Sequence, residues 1–287
     1  MIELPEGYAL AKQLRETVIG RTIVEAEANH SPHGFAFYNY PTEMYGEMLA
    51  GQKLLSANSG AGRNCACGGH VEITCDDKFI LISTPIRYHA PGAKLPPKHQ
   101  LCLKLDDGAH LTCTVQMWGA MLVCEKNASD LPKDFQAKEV PDLYSDAFDY
   151  AYFKSLAEGK MNLSAKAFLA TEQRIPGLGN GVVQDILYNC RIHPRQRLDA
   201  LSTDEIKSMF DSLKRTLQEM RMQGGRDTEK DLFGRAGGYV TKLSKKTKDM
   251  PCQICGSMIV REAFLGGNIY FCPMCQPYGK GASKKKK

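Results

Sequence analysis

At 287 residues the chain has room for two domains and an appendage, and its 43% hydrophobic content is that of an ordinary soluble protein. No apolar run approaches the roughly 20 residues needed to span a bilayer, and eleven cysteines without a secretory leader point to a reducing, intracellular (cytoplasmic) setting. The net charge of +5 is unevenly spread: 13 basic against 19 acidic side chains in residues 1–150, 14 against 11 in 151–239, and 10 against 2 in 240–287, so the C-terminal half is built to meet a polyanion.

The chain opens Met1-Ile-Glu-Leu-Pro-Glu, and Leu10, Leu14 and Val18 then recur at i, i+4, i+8 before Gly20, which predicts a short amphipathic helix after Pro5. From about Thr22 to Lys126 the period drops to two. Leu101, Leu103 and Leu105, the turn Asp106-Asp107-Gly108, and Leu111, Cys113 and Val115 form a hairpin with one buried face. Breaks rich in Gly, Asn and Pro at 58–69 and 84–98 separate similar runs, so this half is a β-sandwich or open barrel of antiparallel strands. Residues 127–149, with Pro132, Pro141 and many acids, read as a connector.

Beyond it the period is helical. Ser164 to Arg174 reads as one helix, Ile175-Pro-Gly-Leu-Gly-Asn-Gly181 as a break, and Asn180 to about Cys190 as a second helix with Asn180 as its N-cap. A glycine-lined turn ahead of bare helix N–H groups is a phosphate site in principle. A third helix runs from Thr203 to Met222, with acids in its first turn and Gly224-Gly225 past its end.

Near the end, Cys252-Gln-Ile-Cys255 and Cys272-Pro-Met-Cys275 stand sixteen residues apart. Two C-x-x-C turns aim four thiolates at one point, the arrangement of a closed, structural Zn2+ site. Between them two short strands flank Gly266-Gly267-Asn268, a β-hairpin clamped at its base. Cys65, Cys67, His70, His89 and His99 are irregularly spaced and read as loop thiols and surface imidazoles rather than a second metal site. The tail Ser283 to Lys287 is basic.

Three blocks together resemble the formamidopyrimidine-DNA glycosylase/endonuclease VIII family of base-excision repair enzymes. Glu3-Leu-Pro-Glu6 is similar to its amino-terminal signature. Lys166 through Ile175-Pro-Gly-Leu-Gly-Asn180 to Ile192-His-Pro194 resembles its helix–two-turns–helix motif, and the Cys255-Gly256 to Cys275-Gln276 spacing resembles its zinc finger. The resemblance implies an α+β protein: an N-terminal antiparallel β-sandwich with a short N-terminal helix (1–130), a connector (131–149), a helix–two-turns–helix domain (150–235), a four-cysteine zinc-finger β-hairpin (236–280) and a basic tail (281–287). It implies a monomeric enzyme on double-stranded DNA carrying a damaged base or abasic site, with Lys166 and Asn180 on the DNA and Cys252, Cys255, Cys272 and Cys275 on zinc. It also implies catalysis by the chain terminus, Ile2 supplying the amine once Met1 is removed and Glu3 handling protons. A terminal amine suits this, since its pKa of about 7.7–8.0 leaves a sizeable neutral fraction where a lysine leaves about 0.1%.

The departures concern chemistry. Ile2 stands where the family has proline, and Gly267 where its zinc hairpin has an arginine. Thr114 to Gly119 replaces the segment that fills the gap left by a flipped base, where Gln116 and Trp118 are the substitutes for hydrogen bonding and stacking. The family's catalytic lysine has no clear match around Gly68-Gly69-His70. Two functions therefore stand side by side: a divergent glycosylase with abasic-site lyase activity, and a catalytically silent zinc-finger DNA-binding protein on the same scaffold.

Overall fold

Helix α1 (Leu4–Thr17) is the bolt between two hydrophobic cores. Its buried Leu10, Ala11 and Leu14 belong to the core of a β-sandwich, whereas Leu4, at its first position, belongs to the core of the helical domain. Each such leucine is stabilised by roughly 1.5–3 kcal/mol on leaving water, so the amino terminus is held from both sides. The computed structural model describes residues 2–60, 69–126, 140–172 and 174–279. Met1, the Cys65 and Cys67 thiols, Gly68, the first part of the connector and the basic tail lie outside the described residues.

The sandwich consists of two sheets. One takes the order β1-β7-β8-β6, from strands Ile23–Ala28 (β1), Ile86–His89 (β6), Leu101–Leu105 (β7) and His110–Cys113 (β8). The other takes the order β2-β9-β5-β4-β3, from Ala36–Phe37 (β2), Ser56–Ser59 (β3), Val71–Thr74 (β4), Lys78–Ile82 (β5) and Gly119–Glu125 (β9), with β2 and β9 parallel and the rest antiparallel. The expected hairpin forms in the register Leu101↔Cys113 and Leu103↔Leu111, and Gly108 supplies the positive φ (82°) that its turn requires. A short helix α2 (Tyr45–Leu49) closes one side of the sandwich core with Tyr45 and Leu49 fully buried.

The helical domain is assembled from α3 (Tyr150–Ser155), α4 (Ala165–Ala170), α5 (Asn180–Asn189) and α6 (Thr203–Met222). Helix α6 has the expected bounds, its start fixed by a reciprocal capping box between Ser202 and Glu205. Helix α4 is shorter than the sequence suggests. It stops at Ala170 rather than Arg174 because Thr171, with its hydroxyl bonded back to the Ala167 carbonyl (2.6 Å), turns to an extended backbone, and the Arg174 guanidinium satisfies the freed carbonyl of Phe168 and adds a further bond to that of Ala167. The second correction is at α5, whose N-cap is Gly179, with Asn180 as the first helical residue. Strands β10 (Val260–Phe264) and β11 (Gly267–Phe271) form the terminal hairpin, and its turn is Leu265-Gly266, both at positive φ, one residue earlier than expected. Two positive-φ residues make the tight turn that strand twist favours, and Gly267 is thereby drawn into the strand opposite Phe264. No helix among the described residues is long and apolar enough to cross a membrane.

Candidate active site and nucleic-acid interface

Glu3 is the N-cap residue of α1, yet its carboxylate serves a different helix. Its two oxygens accept hydrogen bonds from the backbone N–H groups of Gly181 (2.9 Å) and Val182 (2.8 Å), the first turn of α5. The expectation of bare N–H groups awaiting a phosphate is therefore corrected: the chain's own carboxylate already occupies that helix end, where it also meets the positive pole of the dipole. The glycines of the break serve this contact. A Cβ on Gly179 would stand 2.6 Å from the Glu3 carboxyl carbon, and one on Gly181 would fall inside the Arg226 guanidinium.

Arg226 was not legible as a site residue. It is 3% exposed and forks onto Glu6, with Nε on Oε1 (3.0 Å), Nη2 on Oε2 (2.9 Å) and its own backbone N–H on Oε1 (3.0 Å). Nη1 lies 3.5 Å from Glu3 Oε1, and Glu229 stands 4.0 Å from Nη2. Burial works against the charge, but the carboxylates of Glu3 and Glu6 outweigh it and hold the Arg226 pKa above its ordinary value. Burial pushes the Glu229 carboxyl up, against the pull of Arg226. Three carboxylates thus surround one guanidinium, a local excess of negative charge under the cleft floor.

That cleft, of about 320 Å³, opens between the domains. Pro85, Gln116 and Met117 line it from the sandwich, and Glu3, Asn180 and Lys245 line it from the other side. Ile2 sits beside it with its side chain buried in the sandwich core and its backbone N donating to the Ser83 carbonyl (3.1 Å). Of the two substitutes in 114–119, Gln116 reaches the cleft together with Met117, which is 78% exposed. Trp118 does not line it; its ring packs on Phe37 at 5.3 Å. His70, next to Gly69 in the region where the lysine has no match, is buried, and its Nδ1 has no hydrogen-bond partner among the described residues. Burial alone lowers its pKa to about 4. His99 is buried as well, so neither is the surface imidazole expected of it.

Asn180 and Lys166 both hold the terminal hairpin. Asn180 donates one amide hydrogen to the Asn268 carbonyl (2.9 Å) and is otherwise exposed. Lys166 is buried and donates to the Phe264 carbonyl (2.5 Å), and burial lowers its pKa. Gln184 grips the same strand at both ends, donating to Asn268 O and accepting from Tyr270 N, each at 3.0 Å. A Cβ on Gly267 would stand 2.8 Å from the Asn180 amide nitrogen, so a side chain there would push Asn180 aside. The exposed guanidinium nearby belongs to Arg261, on the partner strand, bonded to Asn268 Oδ1 (2.9 Å). Alternation along β10, with Arg261 outward, is the signal that could have found it.

At the hairpin base the sulfurs of Cys252, Cys255, Cys272 and Cys275 lie within 4.8 Å of one another, with Cys252–Cys275 at 3.8 Å and Cys255–Cys272 at 3.4 Å. Four thiolates on a tetrahedral zinc, each at about 2.3 Å, would stand about 3.8 Å apart, so the donor set can hold a metal ion of that kind. Burial opposes the Cys252 thiolate, but hydrogen bonds led by the Tyr188 hydroxyl bring its pKa down to about 6. Cys275 is pushed up to about 12 by burial and by the neighbouring sulfurs, a repulsion that a dication relieves.

Proteins of matching length resemble the chain from end to end. The chain is 28% identical over 287 residues to a formamidopyrimidine-DNA glycosylase of Bacillus subtilis, with 96% of this chain and 99% of that protein covered. The chain is a relative of the formamidopyrimidine-DNA glycosylases. A glycosylase of the same name from Mycobacteroides abscessus is 26% identical over 291 residues, covering 96% and 98% of the two chains. Among solved structures, the Lactococcus lactis Fpg in complex with DNA containing an abasic site superposes with a TM-score of 0.74 at 20% identity, over 96% of this chain and 99% of that one, which establishes the common fold. No family model matches the chain.

Proposed function

We propose that the chain is a base-excision repair enzyme, a DNA glycosylase with abasic-site lyase activity on duplex DNA carrying a damaged base. The observation that carries this reading is that Glu3, beside the chain terminus, lines a cleft walled by the sandwich on one side and by α5 and the segment after Arg226 on the other. The glycosylase name of the full-length relatives supports it. Duplex DNA lies across the cleft, its phosphates met by Lys245, Arg261 and the free amide hydrogen of Asn180, while Gln116 and Met117 enter the gap left by the flipped nucleotide. After removal of Met1, the Ile2 amine attacks C1′ of that nucleotide. The base leaves with the glycosidic electron pair and a proton, the C1′–O4′ bond then opens with a proton passing to O4′ to leave an iminium between C1′ and the terminal nitrogen, and loss of a C2′ proton expels the 3′ phosphate. The carboxylate excess around Arg226 favours the positive iminium electrostatically. Each Glu3 oxygen accepts one N–H and keeps a second lone pair with which to take a proton. Cys252, Cys255, Cys272 and Cys275 hold Zn2+, whose role is to close the hairpin base and so fix Asn268 and Arg261 beside Asn180.

A second reading, a DNA-binding protein without the reaction, is favoured by one observation: both Glu3 oxygens accept backbone N–H groups of α5 and one also faces a guanidinium, the arrangement of a structural helix cap. Strand cleavage of an abasic-site duplex by protein of verified amino-terminal mass separates the two. The enzyme reading expects cleavage by the form lacking Met1, and in Glu3→Gln a larger loss of turnover than of binding. Tight binding with no cleavage by that form would establish the second reading instead.

A further inference from the structure

A second group of metal-ligating side chains lies on the sandwich, and none of its members lines the cleft of Glu3 and Asn180. We propose that Glu27, His30 and His99 form a binding site for a divalent transition metal of the Zn2+ or Ni2+ kind.

The three come from the end of β1, the turn after it and the segment entering β7, and their ligand atoms lie within 4.8 Å of one another. Backbone bonds fix that meeting point. Asn29, at positive φ, donates to Gln100 O (2.7 Å), and Ser31 donates to His99 O (3.0 Å), so the residue between them is laid over His99, the two imidazoles stacked at 4.4 Å and 7°. The backbone thus fixes where the three side chains meet, but stacked rings cannot both aim in-plane lone pairs at one ion, so the half-exposed His30 must swing off His99 and leave its hydrogen bond to Glu27 to complete the site.

The tautomer of His99 is the decisive feature. Its Nδ1 stands 3.1 Å from the Pro96 carbonyl, which can only accept, so Nδ1 carries the proton and donates. In the neutral ring Nε2 is then a bare lone pair. It is buried, has no hydrogen-bond partner among the described residues, and faces the Glu27 carboxylate at 3.7 Å, too far for a hydrogen bond. A lone pair aimed at an anion across an empty gap is unfavourable until a cation fills the gap. A carbonyl-anchored Nδ1–H with a free Nε2 is also the second-shell arrangement typical of metal-binding histidines.

The spacings suit a metal. Two bonds of about 2.1 Å span the 3.7 Å between His99 Nε2 and Glu27 Oε2 at an angle near 120°. Three protein ligands leave such an ion open positions for water. Cys102 lines the same 320 Å³ hollow, but burial and the nearby Glu27 and Glu25 carboxylates push its thiol up to about 11. The donor set is thus nitrogen and oxygen without thiolate, which selects Zn2+, Ni2+ or Cu2+ over soft ions.

The test is calorimetric titration of tag-free, full-length protein, its four-cysteine site already filled with zinc, with Zn2+ and separately with Ni2+, alongside 15N spectra of the histidine rings. A second equivalent is expected, with metal-induced shifts at His99 Nε2 and no change at His99 Nδ1. His30→Ala and Glu27→Gln, both at half-exposed positions, should weaken it by about tenfold or more while the cysteine-bound zinc stays in place. Saturation at one equivalent would overturn the proposal, as would a second equivalent indifferent to both substitutions. A His99 ring that titrates against Glu27 but takes no metal would make the trio an ion pair and overturn it equally.

Discussion

Replacing Arg226 by methionine tests the network beneath the cleft. The substitution keeps the buried stem but removes the Nε and Nη2 hydrogen bonds to Glu6 and the Nη1 contact with Glu3, leaving Glu6, itself only 4% exposed, with a single backbone N–H for a partner. Breaking a buried pair from one side costs about 3–5 kcal/mol, because the remaining charge loses its compensation. Glu3 should suffer less, since the Gly181 and Val182 N–H groups still hold it. In thermal unfolding the cost corresponds to a fall in Tm on the order of 10 °C for a chain of this size. The double variant Arg226→Met/Glu6→Met should recover much of it, since an apolar pair of similar volume can replace a buried ion pair at little net cost. A single-variant loss below about 1 kcal/mol, or a double variant whose loss is the sum of the two singles, would refute the claim that these residues act as one buried unit.

The remaining predictions concern pH, salt and metal. His70 has a folded pKa of about 4 against 6.5 unfolded, so the unfolded chain binds the extra proton and stability falls as pH drops from 6.5 toward 4. His70→Phe should flatten that limb by roughly 3 kcal/mol in urea titrations across the range, and an unchanged slope would dismiss the buried neutral imidazole. Arg261→Ala should weaken duplex binding and reduce the slope of log K against log salt by about 0.9; an unaltered slope would remove Arg261 from the phosphate contacts. Chelation of the cysteine-bound metal should abolish duplex binding while helices α3 to α6 keep their circular dichroism, because the hairpin core is a separate cluster around Tyr188, Cys252 and Tyr270. Retained binding after verified metal loss would sink that reading.

The sequence was most legible where the determinants are local. Ser202 with Glu205 three residues on, and Gly224 past the last turn, bounded α6 to the residue, and alternation around Asp106-Asp107-Gly108 set the register of β7 on β8. The cysteine spacing placed four sulfurs together without reference to anything else. Contacts closed over long loops were illegible. Glu3 looked like a reacting acid by its place in the signature, but nothing local says that it caps a helix 178 residues away. The glycines around Asn180 read as room for a ligand, and they are room for Glu3 and Arg226. Lys166 and Asn180 carried the chemistry of phosphate ligands, whereas in the folded chain each first supports the hairpin. The hairpin turn slipped by one residue because Leu265, a residue with no intrinsic liking for positive φ, takes it there under the pull of the strands on either side.

The claim on which the account most depends is that the chain's own first residues perform the reaction at the cleft floor, and borohydride trapping on an abasic-site duplex, followed by peptide mapping, tests it most directly. The account predicts a covalent adduct on the amino-terminal peptide, at the nitrogen of Ile2 in protein that has lost Met1, and a reduced yield in Glu3→Gln. An adduct mapped to an internal lysine, or none from protein that lacks Met1 and binds the duplex, would contradict it.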